Sequence, residues 1–367
     1  MPEIWLGYGT TNVVLDIKQE NLNQIIQSPK ILSDENLNDF LSSIKFSKKT
    51  LIFPLSSSKF VIKVMSLIIE FFNSKPEFDL SIGTYPMIFH LIKNFFPESV
   101  NFLFEVEPQN LLNLIKQYDQ VVFISRLSYD PIFGFSGTPS ILIRNSSSNL
   151  MHQILSSFDI EFPQPGSINE PLKIAMEWCN KLDVYSIDLI SCASGIIDIN
   201  YRNAASFKES LSNLNSISTF NVGENKSIIV SSGYEYENHM TLTNSLNFLW
   251  NVIPVLKKHG SAVLLSENNK GIGEGALKMY IEGRLDINEI KKKNYINGAE
   301  HLLFLDFLKN HYNLGIVSSL PFYYTHKKLG FVTFNNIKEV LVKFMSIYGK
   351  NHKILVCPEP DITLLHK

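Results

Sequence analysis

From residue 50 onward, short apolar runs alternate with longer segments whose apolar residues recur every three or four positions. TLIFPL (50–55), FDLSIG (78–83), NFLFEV (101–106) and VVFIS (121–125) read as strands; 59–72, MIFHLIKNFF and PQNLLNLIKQY read as the helices between them. The rhythm returns near residue 227. KSIIVSS, SAVLLSE, NLGIVSS, FVTF and KILVCPE are strands, separated by helices over 240–258, 274–282, 297–310 and 336–348. Continuous apolar strands separated by helix-length segments predict mainly parallel sheets covered on both faces, hence an α/β fold. Residues 126–226 read as less regular, with a Ser/Asn run at 145–149 and the turn-rich FPQPGSINEP at 162–171. A Gly in a polar loop before a new strand places a boundary near Gly223, giving an N-terminal α/β domain over 1–222 and a Rossmann-like α/β domain over 223–367, facing each other across an interdomain cleft; FPQPG is the rival boundary.

In the most apolar stretch, Phe60 to Phe72, the residues Lys59, Lys63, Ser66 and Glu70 form one polar stripe. That pattern predicts a buried helix rather than a membrane span, which needs about 20 apolar residues. The opening MPEIWLGYGTTNVVLDI alternates like a strand and lacks a basic leader, so it is not expected to be a signal peptide.

Composition narrows the classes further. With 45% hydrophobic and 19% charged residues the chain is not disordered, and a formal charge of −2 with only Arg126, Arg144, Arg202 and Arg284 argues against a nucleic-acid partner. Cys179, Cys192 and Cys357 match no disulfide or metal spacing, as suits a reducing cytosol, and a cytoplasmic location is expected.

In open α/β sheets ligands sit beyond the carboxyl ends of strands, so the loops there carry the candidate chemistry. Ser56, Ser57, Ser58 and Lys59 follow TLIFPL and open a helix, either as an anion site or as a plain N-cap. Thr84 and Tyr85 follow the next strand, Tyr85 as a phenol at the strand end or as packing. In the loop 129–137, Asp130 is a base or a turn residue, and Gly134, Ser136 and Gly137 would bring backbone close to a ligand. GIGEGA (271–276) fits a dinucleotide fingerprint, but no acid follows at the required distance. The nine histidines are dispersed; His152 and His239 stand out only for the loops that they occupy.

Several of these stretches together resemble the nickel-dependent lactate racemase family. IWLGYGTTNVVLDIKQENLNQII is similar to the family's opening, IGTYP stands where the family has ATGTHRP, FGFSGTPS where it has FAGFSGGRKA, SSGYEYENHMTLTNSLNF where it has GGYPKDINLYQAQKAL, and VLLSENNKGIG where it has ILVAECREGLG. The resemblance implies two α/β domains holding a nickel-pincer nucleotide on a lysine, with histidines as bases on the 2-hydroxyl while hydride moves to and from the cofactor. Carried over residue by residue, most of that set is replaced. The family's acid-acid-x-Thr-Arg loop is Leu55 to Lys59, its two base histidines are Tyr85 and Asp130, its anchor lysine is Ser140, its nickel histidine has only His152 as nearest counterpart, and its Gln and Lys of the later helix are Leu242 and Ser245. No cofactor or metal is therefore expected. Three functions follow: a binding protein for a small organic acid or nucleotide-like ligand; a racemase or epimerase on a 2-hydroxy acid such as lactate or a sugar acid, with Tyr85 as proton donor and Asp130 as acceptor; or a ligand-free interaction protein.

Overall fold

The structure is a computed structural model, which describes residues 3–26, 30–96, 103–158 and 167–367. It is an α/β protein with two six-stranded sheets. In the first, the order is Gly195–Asn203, Tyr185–Cys192, Gln120–Arg126, Lys49–Pro54, Asp79–Thr84, Leu103–Glu105, and only the outermost pair, 185–192 with 195–203, is antiparallel. In the second, Val332–Phe334, Asn313–Val317, Leu256–Leu265, Asn225–Ser231, Ile354–Cys357 and Leu22–Ile25 run parallel throughout. The apolar runs became strands for the expected reason: Leu51, Ile52 and Phe53, like Ile228, Ile229 and Val230, are fully buried between helices. On the helix Lys59–Asn73 the stripe of Lys59, Lys63 and Glu70 is exposed, while Val61, Val64, Met65 and Ile68 are buried. No described helix is long and apolar enough to cross a membrane, and Cys179, Cys192 and Cys357 are free and buried.

Two expectations are corrected. The stretch 126–226 is not irregular, because it holds the long hairpin 185–203 and the helices Thr138–Ser146, Ser148–Ser157, Glu170–Asn180 and Phe207–Ser218. Its central strand was masked by buried polar positions that satisfy one another. Asp188 accepts from Ser125 at 3.0 Å, Ser186 at 3.2 Å and Ser210 at 2.6 Å, which breaks the apolar run without breaking the sheet.

Gly223 does precede the change from one sheet to the other, but residues before it do not all lie with the first sheet. The strand Leu22–Ile25 pairs with Ile354–Cys357, and the hairpin Glu3–Tyr8/Thr11–Asp16 buries Leu6 and Leu15 against Ile229, Val263 and Val356 of the second. A strand only four residues long adds to whichever sheet offers a free edge, and no local pattern specifies that choice. The rival boundary FPQPG, residues 162–166, lies outside the described residues.

The sheets share one core. Leu127, Phe133 and Phe135 from the first join Ile228, Leu246 and Trp250 from the second, all at 0% exposure, so a large part of the seam between the sheets is dry and filled.

Candidate functional site

Each sheet has a switch point, where successive strands begin to be added on the opposite side and the loops at the carboxyl ends part to leave a crevice. In the first sheet it lies between Lys49–Pro54 and Gln120–Arg126; in the second, between Asn225–Ser231 and Ile354–Cys357. The loops beyond these strands meet face to face, and each crevice is filled by side chains from the other sheet.

At the first crevice, Ser56 Oγ donates to Glu237 Oε1 at 2.6 Å, and the backbone N–H and Oγ of Ser57 donate to Glu237 Oε2 at 2.8 and 3.0 Å. The backbone N–H of Lys59 donates to Glu235 at 3.4 Å. The amino end of the helix 59–73 therefore holds anions, and these are the chain's own carboxylates. Ser58 Oγ accepts from Phe60 N as an ordinary cap, and Lys59 Nζ turns away to the carbonyl of Ala193 at 3.0 Å. Glu237→Gln is expected to weaken these charge-assisted bonds and destabilise the fold by about 1.5–3 kcal/mol, measured by urea unfolding; a change within error would mean that the clamp contributes nothing.

At the second crevice Arg126 forms an ion pair with Asp361, both 6% exposed, while Arg126 Nε donates to Ser191 Oγ at 2.9 Å and Asn238 Nδ2 to Asp361 at 3.2 Å. Beside them the N–H of Ala193 donates to Glu359 at 3.1 Å.

Asp130 and Tyr85, read as an acid/base pair, have other partners. Asp130 Oδ1 accepts the backbone N–H groups of Ile132 and Phe133 at 2.8 and 2.9 Å, so the residue does close the turn, and Arg144 Nη2 grips both its oxygens at 3.0 and 2.9 Å. The other arm of Arg144 crosses to the second sheet's helices, reaching Glu300 at 2.7 Å and Tyr295 Oη at 2.8 Å. Tyr85 is buried edge-on against Phe53, its hydroxyl 3.2 Å from Ser146 Oγ, and burial pushes its pKa up to about 12. Asp130 thus serves the turn and the Arg144 clamp, and a phenol with its pKa raised by burial is a poor proton donor near neutral pH.

The remaining candidates are equally engaged. Thr84 Oγ1 donates to Pro54 O at 2.8 Å. Gly134 uses its positive φ of 77° in the Asp130 turn, and a Cβ at Gly137 would strike Phe207 at 2.5 Å, so these glycines serve close packing. Ser136 is half-buried on the short strand Gly134–Ser136. Ser140 is fully buried and exchanges hydrogen bonds with the N–H and carbonyl of Gly137 at 3.0 and 3.1 Å. His152 is half-buried on the helix 148–157, and no group of three or more His, Cys, Asp or Glu able to hold a metal occurs among the described residues. At the positions matching the nickel-pincer anchor and base there is thus a capped hydroxyl and a paired carboxylate. These residues do not fit that cofactor.

An open cavity remains along one side of the seam, about 470 Å³ in volume. Its walls are Thr241, Thr243 and Asn244 at the start of the helix Leu242–Val252, the loop Lys270 to Glu274, Asn297 and, from the first sheet's side, Met87. None of the residues singled out from the sequence as ligand-binding or catalytic lines it; GIGEGA, set aside as a weak dinucleotide signature, does. Its role differs from a phosphate cradle. The carbonyls of Gly271 and Ile272 accept the N–H groups of Leu242 and Thr243 at 3.0 and 3.1 Å, so the helix end is already satisfied.

The sequence matches no protein-family model and no curated protein. Among solved structures it is similar to the lactate racemase apoprotein from Thermoanaerobacterium thermosaccharolyticum, with a TM-score of 0.79 over 100% of both chains at 15% identity. It is also similar to a Thermotoga maritima protein, with a TM-score of 0.60 over 93% of this chain and 100% of the other at 11% identity. The fold is therefore lactate racemase-like.

Proposed function

We propose that this chain is a diverged protein of the lactate racemase fold that binds a small organic acid or nucleotide-like molecule without nickel-pincer chemistry. The observation that supports this most directly is the mutual filling of the two crevices. Glu235 and Glu237 occupy one, the Arg126–Asp361 pair the other, while Asp130 is gripped by Arg144 and Tyr85 is buried with its pKa raised to about 12. The ligand then belongs in the cavity beside them, whose volume of about 470 Å³ falls in the range of small-molecule sites and whose lining combines Ile272, Met87 and Tyr324 with hydroxyl and amide groups.

The test is to produce the protein alongside the nickel-pincer synthesis enzymes, assay it with L-lactate and record its intact mass. No D-lactate and no added nucleotide mass are expected; either one would return the protein to the racemases. In parallel, thermal unfolding with a panel of organic acids and nucleotides is expected to reveal stabilisation approaching 2.7 kcal/mol at a ligand concentration about 100 times Kd. Filling the cavity with Met87→Trp or Asn297→Trp should abolish that gain.

A ligand-free docking role is the second reading, favoured by Met87, Phe322 and Tyr323 at 60%, 56% and 54% exposure. It gains if no panel member stabilises the protein.

A further inference from the structure

A second concave site lies at the opposite end of the second sheet, at the amino-terminal edges of its strands. A groove of about 730 Å³ is bordered by Lys226, Lys257, Lys350 and Lys353, with Asn225, Tyr348 and His352 among its other lining residues. Among the described residues none of these four ammonium groups has a carboxylate within 4.0 Å. Glu224, the acid among the described lining residues, is held by Lys367 at 2.9 Å and also interacts electrostatically with Lys257. Four cations with no carboxylate at ion-pair distance among the described residues, in a chain of net charge −2, are a local excess that raises the concentration of multivalent anions there.

Lysines near a helix end often offset its carbonyl charge, and the helix Ile337–Tyr348 ends at this groove. One helix-end carbonyl, that of Met345, is already bonded, and the turn beyond the helix is held in place. Gly349 N donates to Met345 O at 3.0 Å, and Asn21 Nδ2 donates to the carbonyls of Lys350 and His352 at 2.7 and 3.0 Å. The floor is fixed as well: Asn23 Nδ2 donates to Asn225 Oδ1 at 2.8 Å, Ser227 Oγ bonds His352 Nε2 at 2.6 Å, and the imidazole packs on Tyr348 with centroids 4.6 Å apart. At Gly349 a Cβ would meet nothing within 4 Å, so the groove is open there.

We propose that this groove binds an oligophosphate chain, carried either by free polyphosphate or by a nucleotide. A chain of several phosphates matches four dispersed point charges better than a single carboxylate does, since each ammonium can take a separate oxygen. Burial, with Lys226 adding to it, holds the His352 pKa below its usual value of 6.5, so a phosphate arriving beside Lys226 would raise it. The proposal is independent of the seam cavity and of any ligand there.

The experiment titrates the intact protein with tripolyphosphate, ATP, AMP, monophosphate, duplex RNA and anionic vesicles by calorimetry while following the His352 ring by NMR. Tripolyphosphate is expected to bind at least about tenfold more tightly than monophosphate, weakening with salt, and to raise the His352 pKa. Lys226→Gln with Lys353→Gln, both at exposed positions, should cost about tenfold or more, whereas Lys270→Gln at the seam cavity should cost nothing. Equal affinity for tripolyphosphate and ATP identifies the phosphate chain as the recognised element, and tighter ATP binding with the same lysine dependence identifies a nucleotide as its carrier. Four results would overturn the proposal: tripolyphosphate binding no better than monophosphate, affinity unchanged by the lysine variants, a His352 resonance that does not respond, or preferential binding of duplex RNA or anionic vesicles at equal phosphate.

Discussion

Replacing Arg144 by Met is expected to destabilise the protein by about 3–5 kcal/mol, a large share of the 5–15 kcal/mol typical of a folded domain. The side chain stands between two carboxylates that are themselves nearly inaccessible, Asp130 at 7% and Glu300 at 4% exposure. Without the guanidinium both would be buried without their cation. Asp130 would keep its two backbone donors, but Glu300 would keep chiefly Tyr295 Oη at 3.3 Å. Urea unfolding at neutral pH measures the loss.

Acid gives a second readout. Burial opposes the Glu300 charge, but Arg144, with His301 and hydrogen bonds adding to it, outweighs burial and holds this carboxyl below its ordinary value. A carboxyl whose pKa is lowered by folding stabilises the native state above its unfolded pKa, and that contribution fades as pH falls through the folded value. In Arg144→Met the same carboxyl is no longer held down. Burial then pushes it up, so the gap between parent and variant should begin to narrow above about pH 4.5 and go on narrowing as pH falls below it. A gap of constant size would mean that Arg144 acts through packing on Phe133, whose ring it covers at 5.1 Å, rather than through charge.

The second large effect is expected at the other charged crossing. Arg126→Met should cost about 3–5 kcal/mol, because among the described residues Asp361 would retain Asn238 alone as a side-chain hydrogen-bond partner at a site 6% exposed, and Ser191 would lose its donor. Adding Asp361→Leu is expected to recover most of that loss, since a buried ion pair replaced by apolar groups of similar size is often close to neutral. The double variant also bears on function. If it regains stability and its turnover of 2-hydroxy acids equals the parent's, the Arg126–Asp361 pair does not control access to the site; if turnover rises, the pair was acting as a plug.

The alternation of apolar runs predicted the α/β class, nine strand candidates from residue 50 onward and their helices, because strands covered on both faces are apolar at every position. It missed the hairpin 185–203 because Ser186, Asp188 and Ser191 interrupt the run. They are tolerated in the interior through a partner network contributed partly by Ser125 and Ser210, far away in sequence. The loops were picked out as following strand ends, and the strand order shows that those after Pro54 and Arg126 flank the first sheet's switch point. What those loops bind there could not be read from them, since a serine-rich helix start attracts a ligand's carboxylate and Glu237 by the same physics. The cavity was missed for a similar reason: GIGEGA looked like a phosphate loop, but its carbonyls cap a helix begun thirty residues earlier in the chain.

The sequence by itself determined most strands and helices from residue 50 onward and the burial of the helix 59–73. These depend on residue type and local period. Only the tertiary structure decided that strand 22–25 joins the second sheet, that Asp130 is tied to Arg144 and Glu300, and that the two crevices fill each other. Each of those results turns on which distant groups arrive within hydrogen-bond range. The energy of such contacts depends on distance and burial, and neither is encoded in the spacing of residues along the chain.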